Sequence, residues 1–400
     1  MSSARDRVVM VVLTVACAVT SSNIYINQPL LTDMAKSFGV SEGVMGVVPT
    51  ATQFGYALGI LLLVPLGDSL DRRTLIIALS VATTLALTAA AATPSLLAFA
   101  VISFGIGVLT PIPQIVIPLG VALSTGRSTG SVIGVLQGGL LVGLLASRAY
   151  AGALAEVAGW RAVYWCSVAL MTVLIVLLLV AVPRRLGGTA AMPYHRLLAS
   201  LAAVLRSDRL VGRICTSGAL IGISFGAFWT TLTFLLQNSY GYGPAVAGLF
   251  GLVAAASALA SPRAGRLADR KGGRYAQIAL LAVSITSWIF LACGAISLIP
   301  LVLGVILLDV GVWGNQVVNQ AMLFTLAPEY HSRLNTLYFT TRFLGIAFGS
   351  LAASQLWDAG GWYALCVLGV AALLLAAPVL ATTHAPVAAT DRGEVAAARG

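Results

Sequence analysis

The decapeptide GRLADRKGGR, Gly265–Arg274, is a dense polar run between two long apolar stretches. A degenerate copy, VPLGDSLDRR, lies at Val64–Arg73 and sets Asp68 in the frame of Asp269. One polar signature occurring twice in an apolar chain marks a duplicated membrane bundle. The repeat extends beyond the loop. FGVSEGVMGVV (38–48) precedes one apolar segment, and YGYGPAVAGLFG (240–251) precedes its counterpart at about the same offset.

Composition agrees. Hydrophobic residues make up 59% of the 400-residue chain and charged residues 9%, where soluble domains run near about 25% charged. A chain this apolar has lipid as its solvent. The net charge of +10 is not a nucleic-acid footprint, because the basic residues fall between apolar spans with no basic stripe interleaved with aromatics. Cys17, Cys166, Cys215, Cys293 and Cys366 all fall inside apolar spans without CxxC spacing, so each reads as a small buried hydrophobe. His195, His331 and His384 are too scattered to share a metal.

A spanning helix needs about 20 apolar residues. Twelve candidates emerge, at 8–34, 44–64, 74–92, 96–123, 131–155, 161–182, 209–238, 244–262, 275–295, 299–327, 334–356 and 361–382. The start, MSSARDR before VVMVVLTVACAV, imitates a secretory signal. The apolar run continues to about Leu31, so an uncleaved first span is expected. With the N-terminus inside, the inner segments carry 19 of the Lys and Arg residues and the outer segments carry Lys36 and Arg161. Arg148 and Arg342 fall within predicted helices. This bias places both termini in the cytoplasm. The expected organisation is a six-helix half at 1–182, a cytoplasmic linker at 183–208 with an amphipathic helix, a second six-helix half at 209–382, and a disordered tail at 383–400.

Ionisable groups inside a bilayer cost about 2.5–3.5 kcal/mol each on insertion scales, so each is a candidate for function. Asp309 sits about ten residues into predicted helix ten, or roughly 15 Å at 1.5 Å per residue. Arg342 sits near midplane in helix eleven. Consecutive antiparallel helices are neighbours, so an Asp309–Arg342 pair is expected. That pair is either a permanent structural tie or a proton carrier. Asp33 and Arg148 form a second expected pair, nearer the outer surface, with snorkelling of Arg148 to the headgroups as the alternative. Asp309, Trp313, Gln316 and Gln320 share one helical face, flanked by Asn319. The first helix carries Asn23 and Asn27, with Tyr25 and Gln28 nearby. The fourth carries Gln114 among Pro111, Pro113 and Pro118, which implies a kink, and the seventh offers Phe225, Trp229 and Thr230. Such amides either line a cavity or join helices to one another. No Walker loop, Gly-x-Ser-x-Gly elbow, HExxH or CxxCH occurs, so neither an enzyme nor direct ATP use is indicated.

Twelve spans, a long central loop and GRLADRKGGR between spans eight and nine resemble the major facilitator superfamily. Its loop pattern is Gly-x-Leu-Ala-Asp-Arg-x-Gly-Arg-Arg, normally placed between helices two and three. The second copy here is the better match. In the first, Val64 and Asp71 stand where glycines are usual, while Asp68, Arg72 and Arg73 remain. NIYINQPLL (23–31), GGLLVGLLASRAYAG (138–152), LLDVGVWGNQVVNQ (307–320) and SRLNTLYFTTRFLG (332–345) look like a bacterial drug:proton antiporter subgroup. The resemblance implies a cavity lined by helices one, four, seven and ten. It also implies that Asp68, Arg72, Arg73, Gly265, Asp269, Arg270, Gly272 and Arg274 latch the halves on the cytoplasmic side, the partner being helix eleven. The alternative is that these arginines only set topology. Gly138, Gly139, Gly143 and Gly152 match the glycine-rich fifth helix of efflux members, without its central proline. The expected protein is a monomeric transporter of a bacterial inner membrane, exporting a small, fairly apolar drug or metabolite. Its driving force is the proton gradient, with no cofactor and no nucleic-acid partner. A sugar or small-metabolite permease is the alternative, and a transport-dead sensor or scaffold is a third reading.

Overall fold

Lipid offers no hydrogen-bond partner to the backbone, so an apolar chain of this kind satisfies its N–H and C=O groups within helices. The computed structural model describes residues 4–123, 129–183, 194–255, 261–326 and 331–381. The tail at 383–400, Arg127, Arg184 and Arg185 lie outside the described residues, as does the side chain of Asp68. All described regular structure is helical.

The first span is not one continuous helix. α1 (Ala4–Ser22) unwinds at Asn23–Asn27, passes through a short 3₁₀ turn at Gln28–Leu30 and resumes as α2 (Leu31–Phe38). Pro29 stands in the first turn of the 3₁₀ segment, where its missing N–H costs no bond. α3 (Glu42–Met45) and α4 (Val47–Leu63) follow, then α5 (Leu66–Ser69) and α6 (Arg72–Ala92). The expected break in the fourth span is present: α7 (Leu96–Leu109) stops before Thr110–Pro111, and α8 (Ile112–Leu123) continues. The Thr110 hydroxyl donates to the Ile106 carbonyl there. α9 (Thr129–Ala158) and α10 (Trp160–Ala181) close the first half.

An amphipathic helix, α11 (Tyr194–Ser207), lies in the linker and packs on the second half. Its Tyr194 hydroxyl donates to the Leu62 carbonyl of the first half at 2.7 Å. The second half comprises α12 (Arg209–Tyr240), α13 (Pro244–Ala255), α14 (Ser261–Lys271), α15 (Gly273–Cys293), α16 (Leu298–Leu323) and α17 (His331–Ala381). Among the described residues, nine stretches are long and apolar enough to cross a membrane. The expected twelve are not counted off one for one among the described residues. The first span is broken, the expected span at 244–262 lies partly outside the described residues, and the stretches at 334–356 and 361–382 form one run that turns at Gly361 (φ 60°, ψ −154°), a conformation glycine tolerates.

Apolar helices in lipid associate through close packing, which favours small residues at crossings. α12 and α17 show this directly. Cβ atoms at Gly226, Gly345 and Gly349 would overlap the carbonyls of Ile346, Ala219 and Ile223. The pairing of Gly345 with Ala219 and Gly349 with Ile223 runs in the same direction along both chains, so the two helices are parallel. α1 and α9 are parallel by the same criterion, through Gly139 against Thr14 and Gly143 against Ala18. The halves meet where α9 packs on α13 and α4 on α17.

Overpacking a tight crossing costs about 1–3 kcal/mol. Gly349→Val is expected to lower the thermal unfolding midpoint in detergent by several degrees. Gly134→Ala, where an added Cβ meets nothing within 4 Å, is expected to leave the midpoint unchanged or raise it.

Candidate functional site

Between the halves lies a cavity of about 550 Å³. The first half contributes wall from α4, α8 and α9 and from the region where α1 unwinds, and the second half from α16 and α17. The wall runs from Tyr25 and Trp313 to Ile133 and Phe324, toward the end at which α9 begins and α16 finishes. The parallel packing of α1 on α9 makes this the end at which the chain enters. Most of the lining is aliphatic and aromatic, with Tyr25, Tyr56, Gln114, Gln137, Gln316, Gln320 and Arg342 as its larger polar side chains. The unwound stretch after Ser22 turns Tyr25 toward the cavity while Asn23 and Asn27 are buried in the protein.

Above the cavity sits a cluster of buried charge. Arg148, Asp309 and Arg342 are exposed by 1%, 1% and 2%. The Arg148 guanidinium lies over the Trp229 ring at 3.9 Å and the Tyr25 ring at 4.7 Å, and its Nε donates to Gln28 Oε1 at 2.8 Å. Trp229 Nε1 donates to Asp309 Oδ1 at 3.3 Å. Trp229 therefore holds a cation from the first half on its face and a carboxylate from the second half at its edge. Arg342 lies over Trp313 at 5.5 Å. Both guanidinium groups act electrostatically on Asp309. Nη2 of Arg148 and Nη2 of Arg342 have no hydrogen-bond partner.

The opposite end of the bundle is shut by two carboxylates. Glu42 of the first half accepts from Asn238 Nδ2 at 2.8 Å and Trp357 Nε1 at 2.9 Å, both from the second half. Asp358 of the second half accepts from Ser41 Oγ at 2.7 Å and the Gly43 amide at 3.2 Å. A Cβ at Gly43 would collide with the Asp358 carboxylate, so glycine permits this approach. Glu156 lies against the first turn of α13, within 3.5 Å of the Ala245 amide.

Several expectations need correction. Asp309 and Arg342 form no salt bridge, because the two tryptophans take the space beside the carboxylate. Asp33 does not meet Arg148. It faces Lys36 at 4.0 Å, one turn on in α2, and the break in the first span turns Gln28 to the arginine instead. Arg148 does not snorkel to a headgroup. Of the residues expected to line the cavity, Tyr25, Gln114, Trp313, Gln316 and Gln320 do so. Asn27 bonds Thr52, Thr230 bonds Ser350, and Asn319 joins Gln277 to Tyr338, so these three tie helices together. Phe225 and Trp229 sit behind the wall, with Phe225 against Trp313 at 5.9 Å. Tyr56, Gln137, Phe339 and Phe343 line the cavity without having been singled out. The stripe Ile133, Gln137, Leu140, Leu141, Leu144 has helical spacing and was the available signal.

Arg72 Nε donates to the Gly67 carbonyl at 2.9 Å, and Arg73 Nη2 to the Leu179 carbonyl at 2.9 Å, both within the first half. Asp71 caps α6 through the Thr74 amide at 2.9 Å. In the second copy, Gly265, Asp269 and Arg270 lie within α14, Gly272 (φ 88°) makes the turn and Arg274 stands in the first turn of α15.

A helical bundle of two halves enclosing a cavity with buried charge defines a membrane transporter. The sequence pattern of the Major Facilitator Superfamily matches residues 13–350 and 214–399, and the chain belongs to that family. The uncharacterised transporter YgaY of Escherichia coli O157:H7 is 33% identical over 367 residues, 92% of this chain and 93% of its own. "Probable transporter SCO4007" of Streptomyces coelicolor is 31% identical over 378 residues, 94% of this chain and 87% of its own. Among solved structures, the nucleoside transporter NupG superimposes with a TM-score of 0.75 at 11% identity, over 95% of this chain and 99% of that one. The human organic anion transporter MFSD10 does so with 0.69 at 16% identity, over 94% and 99%. At these identities the structures share the fold alone.

Hydrogen bonds to charged acceptors contribute about 1.5–3 kcal/mol each. Glu42→Gln combined with Asp358→Asn is expected to favour separation at the closed end by about tenfold or more. Faster maleimide labelling of a Thr233→Cys reporter in a cysteine-free background measures this.

Proposed function

We propose that the protein exports a small, largely apolar compound through this cavity by alternating access, in exchange for protons. The observation that carries the reading is the Arg148–Trp229–Asp309 contact, which spans the two halves. Asp309 belongs to the second half and Arg148 to the first. When the closed end opens, Arg148 withdraws with its half. Asp309 then loses a nearby positive charge, and its neutral form becomes favoured in a low-dielectric setting. A proton enters from the outer side. When that end shuts, Arg148 returns and favours the carboxylate, so the proton leaves toward the open cavity. The arginine-rich loops support taking the cavity end as the cytoplasmic one in a bacterial inner membrane, with both termini on that side. The mostly apolar wall fits a compound with a substantial hydrophobic body.

An uptake permease is the second reading. It uses the same cavity and differs in the direction of flux relative to the proton. The relatives whose chains match over most of this length are themselves named only as transporters.

Inverted vesicles loaded with a pH-gradient dye test the coupling. A panel of lipophilic compounds and sugars is expected to collapse the gradient with the native protein, and Asp309→Asn to abolish that response while labelled compound still binds. Flux that persists without any proton movement in either protein would instead make the protein a uniporter.

A further inference from the structure

Among the described residues, the fully buried charged side chains are Arg148, Asp309 and Arg342. Two guanidinium groups face one carboxylate, which leaves a positive charge uncompensated inside an apolar bundle. Such a charge is costly unless a partner neutralises it. The excess falls on the cavity side. Asp309 lies behind Trp313 and contributes nothing to the wall, whereas Arg342 is part of it. Arg148 is enclosed by Tyr25, Trp229 and Gln28. Arg342 is therefore the charged side chain that a compound in the cavity meets, and its Nη2 has no hydrogen-bond partner. Gln316 lies on the same wall and its Oε1 is likewise unpartnered.

We infer that the cavity takes an amphipathic organic monoanion, a carboxylate or sulfonate on an apolar body, with its charged end seated on Arg342. A guanidinium donates to such groups through charge-assisted hydrogen bonds. The apolar body rests on Leu141, Leu144, Phe339, Phe343 and Ile346. An organic cation meets no carboxylate on the described wall and is repelled by Arg342. A phosphate dianion needs a second exposed cation, and Arg148 is closed off. The inference rests on the reading of this cavity as the substrate's site, and it is independent of proton coupling and of direction.

The test uses the full-length protein in lipid nanodiscs, titrated calorimetrically at neutral pH with three probes that share one body: 4-(1-naphthyl)butyrate, its carboxamide and the matching primary amine. The acid is expected to bind at least about tenfold more tightly than the amide, equivalent to about 1.4 kcal/mol, with the amine weakest. Arg342→Gln is expected to bring the acid-to-amide ratio to about one, and Arg342→Lys to retain part of the preference, which separates lost charge from lost fold. An acid no better than the amide, a preference for the amine, no measurable acid binding, or a ratio unchanged in Arg342→Gln would overturn the inference. Gly138→Phe tests the underlying reading separately, because an added Cβ at this wall position meets nothing within 4 Å. Loss of all three probes in that variant supports the cavity as the site. Unchanged binding of all three would overturn both the cavity reading and the inference built on it.

Discussion

The cost of holding charge inside an apolar bundle governs this structure. The side chains of Arg148, Asp309 and Arg342 sit almost fully buried within the bundle. Trp229 makes the arrangement tolerable by offering two different surfaces. Its face is electron-rich and attracts Arg148, while its single N–H points to Asp309. A direct ion pair would have fixed two charges together. An indole between them couples the halves without locking them, because a ring face releases a guanidinium more readily than a bidentate carboxylate does.

That coupling is set between two unlike ends. One end is drawn shut by Glu42 and Asp358, each accepting bonds donated by the other half, with close backbone approach where glycines stand. The other end leaves the cavity between the halves. A transporter needs just this asymmetry in any one state. Packing within each half differs in kind. α12 and α17 meet backbone to backbone through small residues.

Much of the architecture was legible in the chain. The duplicated loop, the arginine bias and the spacing of apolar spans defined an all-helical transporter fold, and the proline cluster marked the break between α7 and α8. The break in the first span was not legible. NIYINQ is apolar enough to read as continuous helix, and its unwinding shows in the buried turn that aims Gln28 at Arg148. The pairing of charges was misread for a related reason. Depth along a helix can be counted from sequence, but rotation about the helix axis and the interposition of Trp229 and Trp313 are set by tertiary packing. The polar stripe of α16 divides in the same way: Trp313, Gln316 and Gln320 face the cavity, while Asn319 is turned onto α15 and α17.

The chemistry of the shut end carries one more consequence. Its carboxylates are met across the halves by amide, indole and hydroxyl donors rather than by ammonium or guanidinium groups. Mobile ions screen attraction between net charges over a Debye length, but they do little to a short bond between a carboxylate and a neutral donor. An end fastened by salt bridges loosens in a saline medium. This one keeps its hold as ionic strength rises.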